Sequence, residues 1–275
     1  MLREAVVAGK FYPGGPMQAA SEAALLTSPF AGEDTPKRTP LMIMLPHAGW
    51  IYSGKVAGMV ISRCELPQDL IILAPCHREC GKGLGVWDKG AWDTPLGAIP
   101  VNEELASEII AADGGFQADY SPHEQDHAIE VLLPLLKIAR PDLTIVPIAV
   151  AKHDLQQLIQ AGDAIAKVLQ ARKALGKETP LLVVSSDMSH FVSDAEAKKQ
   201  DAKALEAIIH LSPQELYNVV SAHNISMCGV LPATLALQAC RNLGAADAEL
   251  VSYATSGYVS GDMNNVVGYA GVAVY

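Results

Sequence analysis

The chain has 275 residues, of which 50% are hydrophobic and 18% charged, and its formal net charge is -10. That much apolar surface supports a large core. The acidic balance and the lack of any clustered Lys/Arg run argue against nucleic-acid or anionic-membrane partners, and no apolar run reaches the ~18 residues of a membrane span.

Along the chain, the opening MLREAVVAGKFYPGG carries an apolar patch too short for a signal-peptide core, with Glu4 and Lys10 around it. Apolar runs of strand length then follow at 41–45, 70–74, 143–150 and 181–186. They alternate with helical patterns at 54–65, 102–112, 127–138, 154–172, 194–209, 213–222 and 229–242. Strands that are apolar on both faces and separated by helices predict an α/β fold with a mostly parallel central sheet covered by helices. One helix start is readable in detail: Ser212 as N-cap, Pro213 in the first helical position and Glu215 three residues on. The stretch GLGVWDKGAWDTPLGAIPVN (83–102) breaks the rhythm and reads as a hairpin or loop excursion beside the site. The C-terminal stretch reads as two strands joined across a Gly/Asp/Asn turn. No repeat, low-complexity tract or long linker divides the chain, so 1–275 is expected to be a single domain. The five cysteines, Cys64, Cys76, Cys80, Cys228 and Cys240, are odd in number and scattered, which predicts reduced thiols in a cytoplasmic protein.

Chemistry gathers where the strands end. His47 follows LMIMLP, His77 follows LIILAPC and His190 follows VVSSDMS. In open α/β sheets functional groups collect beyond the carboxyl ends of strands. Singly, each residue is an ordinary loop histidine; at equivalent positions the three predict a shared metal site. SPHEQDHAIEVLLP (121–134) adds His123, Glu124, Asp126, His127 and Glu130, whose acidic groups serve either the site or the dipole of the following helix. Cys228 precedes a further helix, whose N-terminus favours thiolate; the alternative is a small buried hydrophobe. CHREC (76–80) has the wrong order for haem attachment and lacks a second zinc-finger pair. No dinucleotide fingerprint, Walker A sequence or nucleophile elbow is present, which sets aside nucleotide chemistry and a Ser186–Asp187–His190 hydrolase.

The ordered motifs REAVVAGKFYPG, LPHAGWIYSG, LAPCH, WDTPLG, EQDHAIEVLLP, VVSSDMSHF, MCG, YATSG and GDMNNVVGYAG run nearly end to end. In them the chain resembles the Memo family, also called AmmeMemoRadiSam system protein B in prokaryotes. The resemblance implies a fold like that of class III extradiol ring-cleaving dioxygenases. It also implies a mononuclear first-row metal site, with His47 and His77 matching two histidine ligands and Cys228 standing where the dioxygenases have a glutamate. His190 matches the dioxygenase acid/base, with Asp187 and His127 lining the pocket. Two imidazoles and a thiolate suit iron or copper foremost, with zinc also compatible.

Three functions follow from this resemblance. One is a metal-dependent redox enzyme, a non-haem oxidoreductase of extradiol dioxygenase type with His190 as general acid/base. Another is a non-catalytic module that captures a peptide or small molecule. The third is a partner of the radical-SAM and Amme-type proteins that name the prokaryotic system. The first is favoured because every polar group of the candidate site is retained.

Overall fold

Every one of the long apolar runs becomes a strand in the computed structural model, which describes residues 1–28, 36–78, 80–81 and 83–275. In chain order the first half comprises β1 (Leu2–Arg3), α1 (Pro16–Leu26), β2 (Met42–Leu45), α2 (Trp50–Arg63), β3 (Asp69–Pro75), β4 (Leu84–Val86), β5 (Ala91–Trp92), β6 (Ile99–Pro100), α3 (Glu103–Ala111), β7 (Phe116–Ala118) and α4 (Ser121–Glu124). A 3-10 turn (Glu130–Leu132) leads into α5 (Leu133–Ala139), β8 (Thr144–Val150), α6 (Leu155–Ala174), β9 (Leu181–Ser185) and β10 (His190–Val192). The chain continues through α7 (Asp194–Ile209), α8 (Pro213–Ala222), α9 (Val230–Asn242), β11 (Ala248–Thr255), α10 (Gly257–Ser260) and β12 (Val266–Val274).

The main sheet runs β10-β12-β2-β9-β3-β8-β4-β7, with β11 on the outer side of β12. Its centre, β2-β9-β3-β8, is parallel throughout. Both margins are antiparallel, because β12 pairs β2 on one side and β4 pairs β8 on the other. The sheet is therefore mixed, and the mostly parallel expectation holds only for its middle. Antiparallel pairing needs no helical crossover, so the 83–102 excursion can insert β4 beside β8 directly. The rest of that excursion forms a separate small sheet, β1-β5-β6.

Side chains alternate along each central strand, and so they feed two cores. Met42, Met44, Ile71, Leu73, Val146, Ile148, Leu182 and Val184 pack with α3, α6, α8 and α9 residues on one face. Ile43, Leu45, Leu70, Ile72, Ile145, Leu181 and Val183 pack with α2 and α5 residues on the other. Each such fully buried aliphatic side chain is worth about 1.5–3 kcal/mol. The result is a single α/β domain with helices on both faces of the sheet.

The helix ends follow local chemistry. Asp154 caps α6 with a reciprocal capping box to Gln157. Ser212 caps α8 through the Glu215 N–H, with Pro213 in the first turn, but the return bond from the Glu215 side chain is not made. The expected reduced state of all five cysteines needs correction: Cys76 and Cys80 form a disulfide, their Cα atoms 5.3 Å apart. Cys64, Cys228 and Cys240 remain free.

Candidate metal centre

The strand order fixes the site. β2, β9 and β3 are neighbours and parallel, so their carboxyl ends share one edge. His47, Asp187 and His77 each lie two residues beyond the end of one of these strands. His127 enters from the loop before the 3-10 turn. Ligating atoms of His47, His77 and His127 all lie within 4.8 Å of one another. Their ring centroids are 5.2, 5.4 and 4.9 Å apart in the pairs 47–77, 47–127 and 77–127.

The hydrogen bonds set the tautomers. Ser185 Oγ lies 2.7 Å from His47 Nδ1 and 2.6 Å from the Ala128 carbonyl. The carbonyl can only accept, so the single hydroxyl proton goes to it, and His47 Nδ1 must donate to the serine. His47 Nε2 is thereby left with its lone pair toward the site. His77 Nδ1 lies 3.2 Å from Asp126 Oδ1, an acceptor, and the His77 backbone N–H donates to Asp126 Oδ2 at 2.6 Å. His77 Nε2 is then the free donor atom, in the carboxylate–histidine arrangement that orients metal ligands. Asp126 also stands 3.9 Å from His127 Nδ1.

Electrostatics keep His47 and His127 in their ligating form. Burial pushes His47 well below its ordinary pKa, and the neighbouring His127 and His77 push it the same way. His127 is also lowered, chiefly by burial, against the opposing pull of Asp126. Asp126 itself is raised by burial, but the hydrogen bonds from His77 and the Ala128 N–H overcome this and hold its carboxyl below the usual range. Neutral imidazoles beside a carboxylate suit a cation.

Cys228 lies beside this cluster. Its Sγ is 3.5 Å from His47 Nε2 and accepts the Asp187 N–H at 3.2 Å. Gly229 permits that approach, since a Cβ there would fall 2.3 Å from Ser186 Cβ. Burial, and then the charge of Asp187, raise the Cys228 thiol, so the expected thiolate-favouring effect of the α9 N-terminus is outweighed. Asp187 Oδ1 accepts the His47 backbone N–H at 2.8 Å, and burial raises its carboxyl to about 6 against that bond. His190 Nδ1 donates to the Ser226 carbonyl at 2.8 Å, which leaves Nε2 as the proton-accepting atom. Phe191 next to it holds a positive φ of 59° and is 74% exposed.

The sequence-derived residues thus fall in one region, with two of the three expected ligands, His47 and His77, grouped with His127 and with Cys228 adjoining His47. Ser185 and the orienting role of Asp126 went unread in the sequence. Two of the acids of 121–134 have specific partners: Asp126 serves His77, while Glu130, fully buried, pairs with Arg3 and accepts from Val6, Val7 and Tyr12; Glu124 stands in the first turn of α4.

An α/β sheet whose adjacent strand ends and neighbouring loop bring three imidazoles together defines a protein with a candidate mononuclear metal centre. A family model described as Memo-like protein matches residues 3–273, and the chain belongs to the Memo family. It is 37% identical to a MEMO1 family protein of Aquifex aeolicus, with 98% of each chain covered. It is 36% identical to one of Methanobrevibacter smithii, again over 98% of each. A Thermotoga petrophila relative is 32% identical over the full length of both.

Proposed function

We propose that this chain is a metal-dependent redox protein of extradiol dioxygenase type, with His47, His77 and His127 holding one ion and Cys228 flanking it. The observation that carries this reading is the convergence of three imidazole donors, two of them tautomer-locked by Ser185 and Asp126. Such a donor set suits iron, copper or zinc. A bound ion would supply Lewis acidity or an electron-transfer partner. The chain's own groups supply the rest. His190, with Nδ1–H committed to Ser226, presents Nε2 to take or give a proton at a substrate hydroxyl. Asp187 fixes the His47 backbone and the Cys228 loop.

The test is metal analysis of protein purified without oxygen, followed by oxygen-electrode traces with catechol on iron-, copper- and zinc-loaded samples. One ion per chain is expected, with catechol-dependent uptake in the redox-active forms and its loss in His190→Ala. Retention of metal without turnover would leave a ligand-binding role; full metal occupancy in His47→Ala/His77→Ala would overturn the site.

A further inference from the structure

His190 sits on a strand too short to hold itself. β10 has three residues, pairs among the described residues only with β12, and changes register between His190 and Val192. Phe191, next in line, has a left-handed backbone. A turn of this kind keeps its shape only where its surroundings fix it. On one side Ser226 Oγ accepts the His190 backbone N–H at 2.7 Å, and the Ser226 carbonyl accepts Nδ1–H at 2.8 Å. On the other side the hold is on Ser189, which is fully buried. Its N–H and its hydroxyl both donate to Asp201 Oδ1, at 2.9 and 2.6 Å, and its carbonyl accepts the Gly268 N–H at 2.8 Å.

Asp201 goes against the pattern of its own helix. Ala197, Ala204 and Leu205 share its face of α7 and are buried, so the periodicity calls for an apolar side chain at 201. The sequence puts a carboxylate there instead, with no exposure to solvent. Burial raises this carboxyl's pKa, and the hydrogen bonds from Ser189 and Tyr253 oppose the shift. The Tyr253 hydroxyl donates to Oδ2 at 2.6 Å, so the two oxygens accept three hydrogen bonds from uncharged partners. Burying a carboxylate among neutral donors is costly, yet β12 is shaped around it. A Cβ at Gly268 would run into Asp201 Oδ2 and lie 3.1 Å from Tyr253 Oη. Glycine inside a strand marks such a point of close approach.

We propose that Asp201 is a positioning residue: acting through Ser189, it fixes the turn that aims His190 Nε2 into the site. The inference rests on the reading of His190 as the proton-transfer group. Misplacing such a group by about 1 Å costs on the order of 100-fold in rate, which gives the buried carboxylate a use that packing alone does not.

The test follows His190 itself, by nitrogen NMR of the full chain labelled at its histidine rings, with the His190 signals identified by their loss in His190→Gln. Above the histidine titration range, wild type should show a single His190 tautomer with the proton on Nδ1. Asp201→Ala removes the acceptor of both Ser189 bonds. The Nε2–H tautomer should then appear at His190, while the His47 and His77 signals stay in place. Asp201→Asn, whose side-chain carbonyl accepts both bonds, should restore the wild-type pattern. In iron-loaded chains given catechol, Asp201→Ala should lower kcat by up to ~100-fold at unchanged KM. Should Asp201→Ala not fold, Ser189→Ala, which removes only the 2.6 Å bond, reads the same tautomer shift in its stead. A His190 tautomer that stays as in wild type in the folded variant overturns the proposal, whatever happens to turnover. A tautomer shift in a chain without catechol turnover supports the positioning by Asp201 and overturns instead the acid/base reading of His190.

Discussion

Ser185 Oγ has a single proton, and its donation to Ala128 decides which nitrogen of His47 faces the site. Ser185→Ala removes both bonds while leaving the imidazole in place, so His47 is free to adopt the other tautomer. Metal affinity should fall roughly 10–100-fold, the usual cost of losing an orienting partner, with a stability loss of about 1 kcal/mol. Competition against a chelator reads the first and urea unfolding the second. An unchanged affinity would mean that the serine does not set the tautomer. His123 makes a separate prediction. It is 1% exposed, and burial lowers it to about 4 against the raising bond to the Gly85 carbonyl. The unfolded chain binds a proton near pH 6.5 while the folded one does not. Stability from this residue is therefore complete above pH 6.5 and lost as pH falls to about 4, by roughly 3 kcal/mol. His123→Gln, which can still donate to Gly85, should flatten the wild-type slope of unfolding midpoint against pH in that window. Parallel slopes would show that His123 does not couple folding to protons.

Among elements, the 3-10 turn at Glu130–Leu132 anchors the N-terminal segment as well as the site loop. Glu130 accepts from Val6, Val7, Tyr12 and Arg3, and the Phe11 ring of that segment lies tilted against His127, centroids 4.8 Å apart. Glu130→Gln leaves Arg3 buried without its counter-charge, a loss of about 3–5 kcal/mol, and should loosen the N-terminal segment. Faster limited proteolysis within residues 1–15, together with a lower unfolding midpoint, would check this; a midpoint within experimental scatter of wild type would refute it. The central strands β2, β3, β8 and β9 were legible because both of their faces are buried and their apolar runs are unbroken. Short β4, β7 and β10 were not, since two or three paired residues owe their conformation to the partner strand rather than to their own composition. The site divides the same way. His47, His77 and His190 stand out by their place after strands, whereas the Asp126–His77 bond spans 49 positions and the Ser185–Ala128 bond 57, distances at which sequence carries no signal. Likewise, nothing in a C-x-x-x-C spacing distinguishes the observed bridge from two loop thiols.

For the whole molecule, the decisive question is whether His127 or Cys228 completes the ligand set, and stability can answer it. In the unfolded chain His47, His77 and His127 are far apart, so an ion that needs all three binds the folded state alone and stabilises it by mass action. At a free metal concentration 100 times the dissociation constant the gain is about 2.7 kcal/mol. For a chain of this size that should raise the thermal midpoint by roughly 5–10 °C, at ~2–4 °C per kcal/mol. Zinc is the clean probe because it has no redox chemistry with a neighbouring thiol. His47→Ala/His77→Ala should abolish the shift. His127→Ala should remove most of it, because one of three converging donors is gone. Cys228→Ser should keep most of it, since its sulfur adjoins His47 and hydrogen-bonds the Asp187 backbone without joining the three-imidazole group. The reverse ranking, with Cys228→Ser silent to zinc and His127→Ala responding as wild type, would assign the ion to His47, His77 and Cys228. His127 would then be left to orient what binds beside the ion.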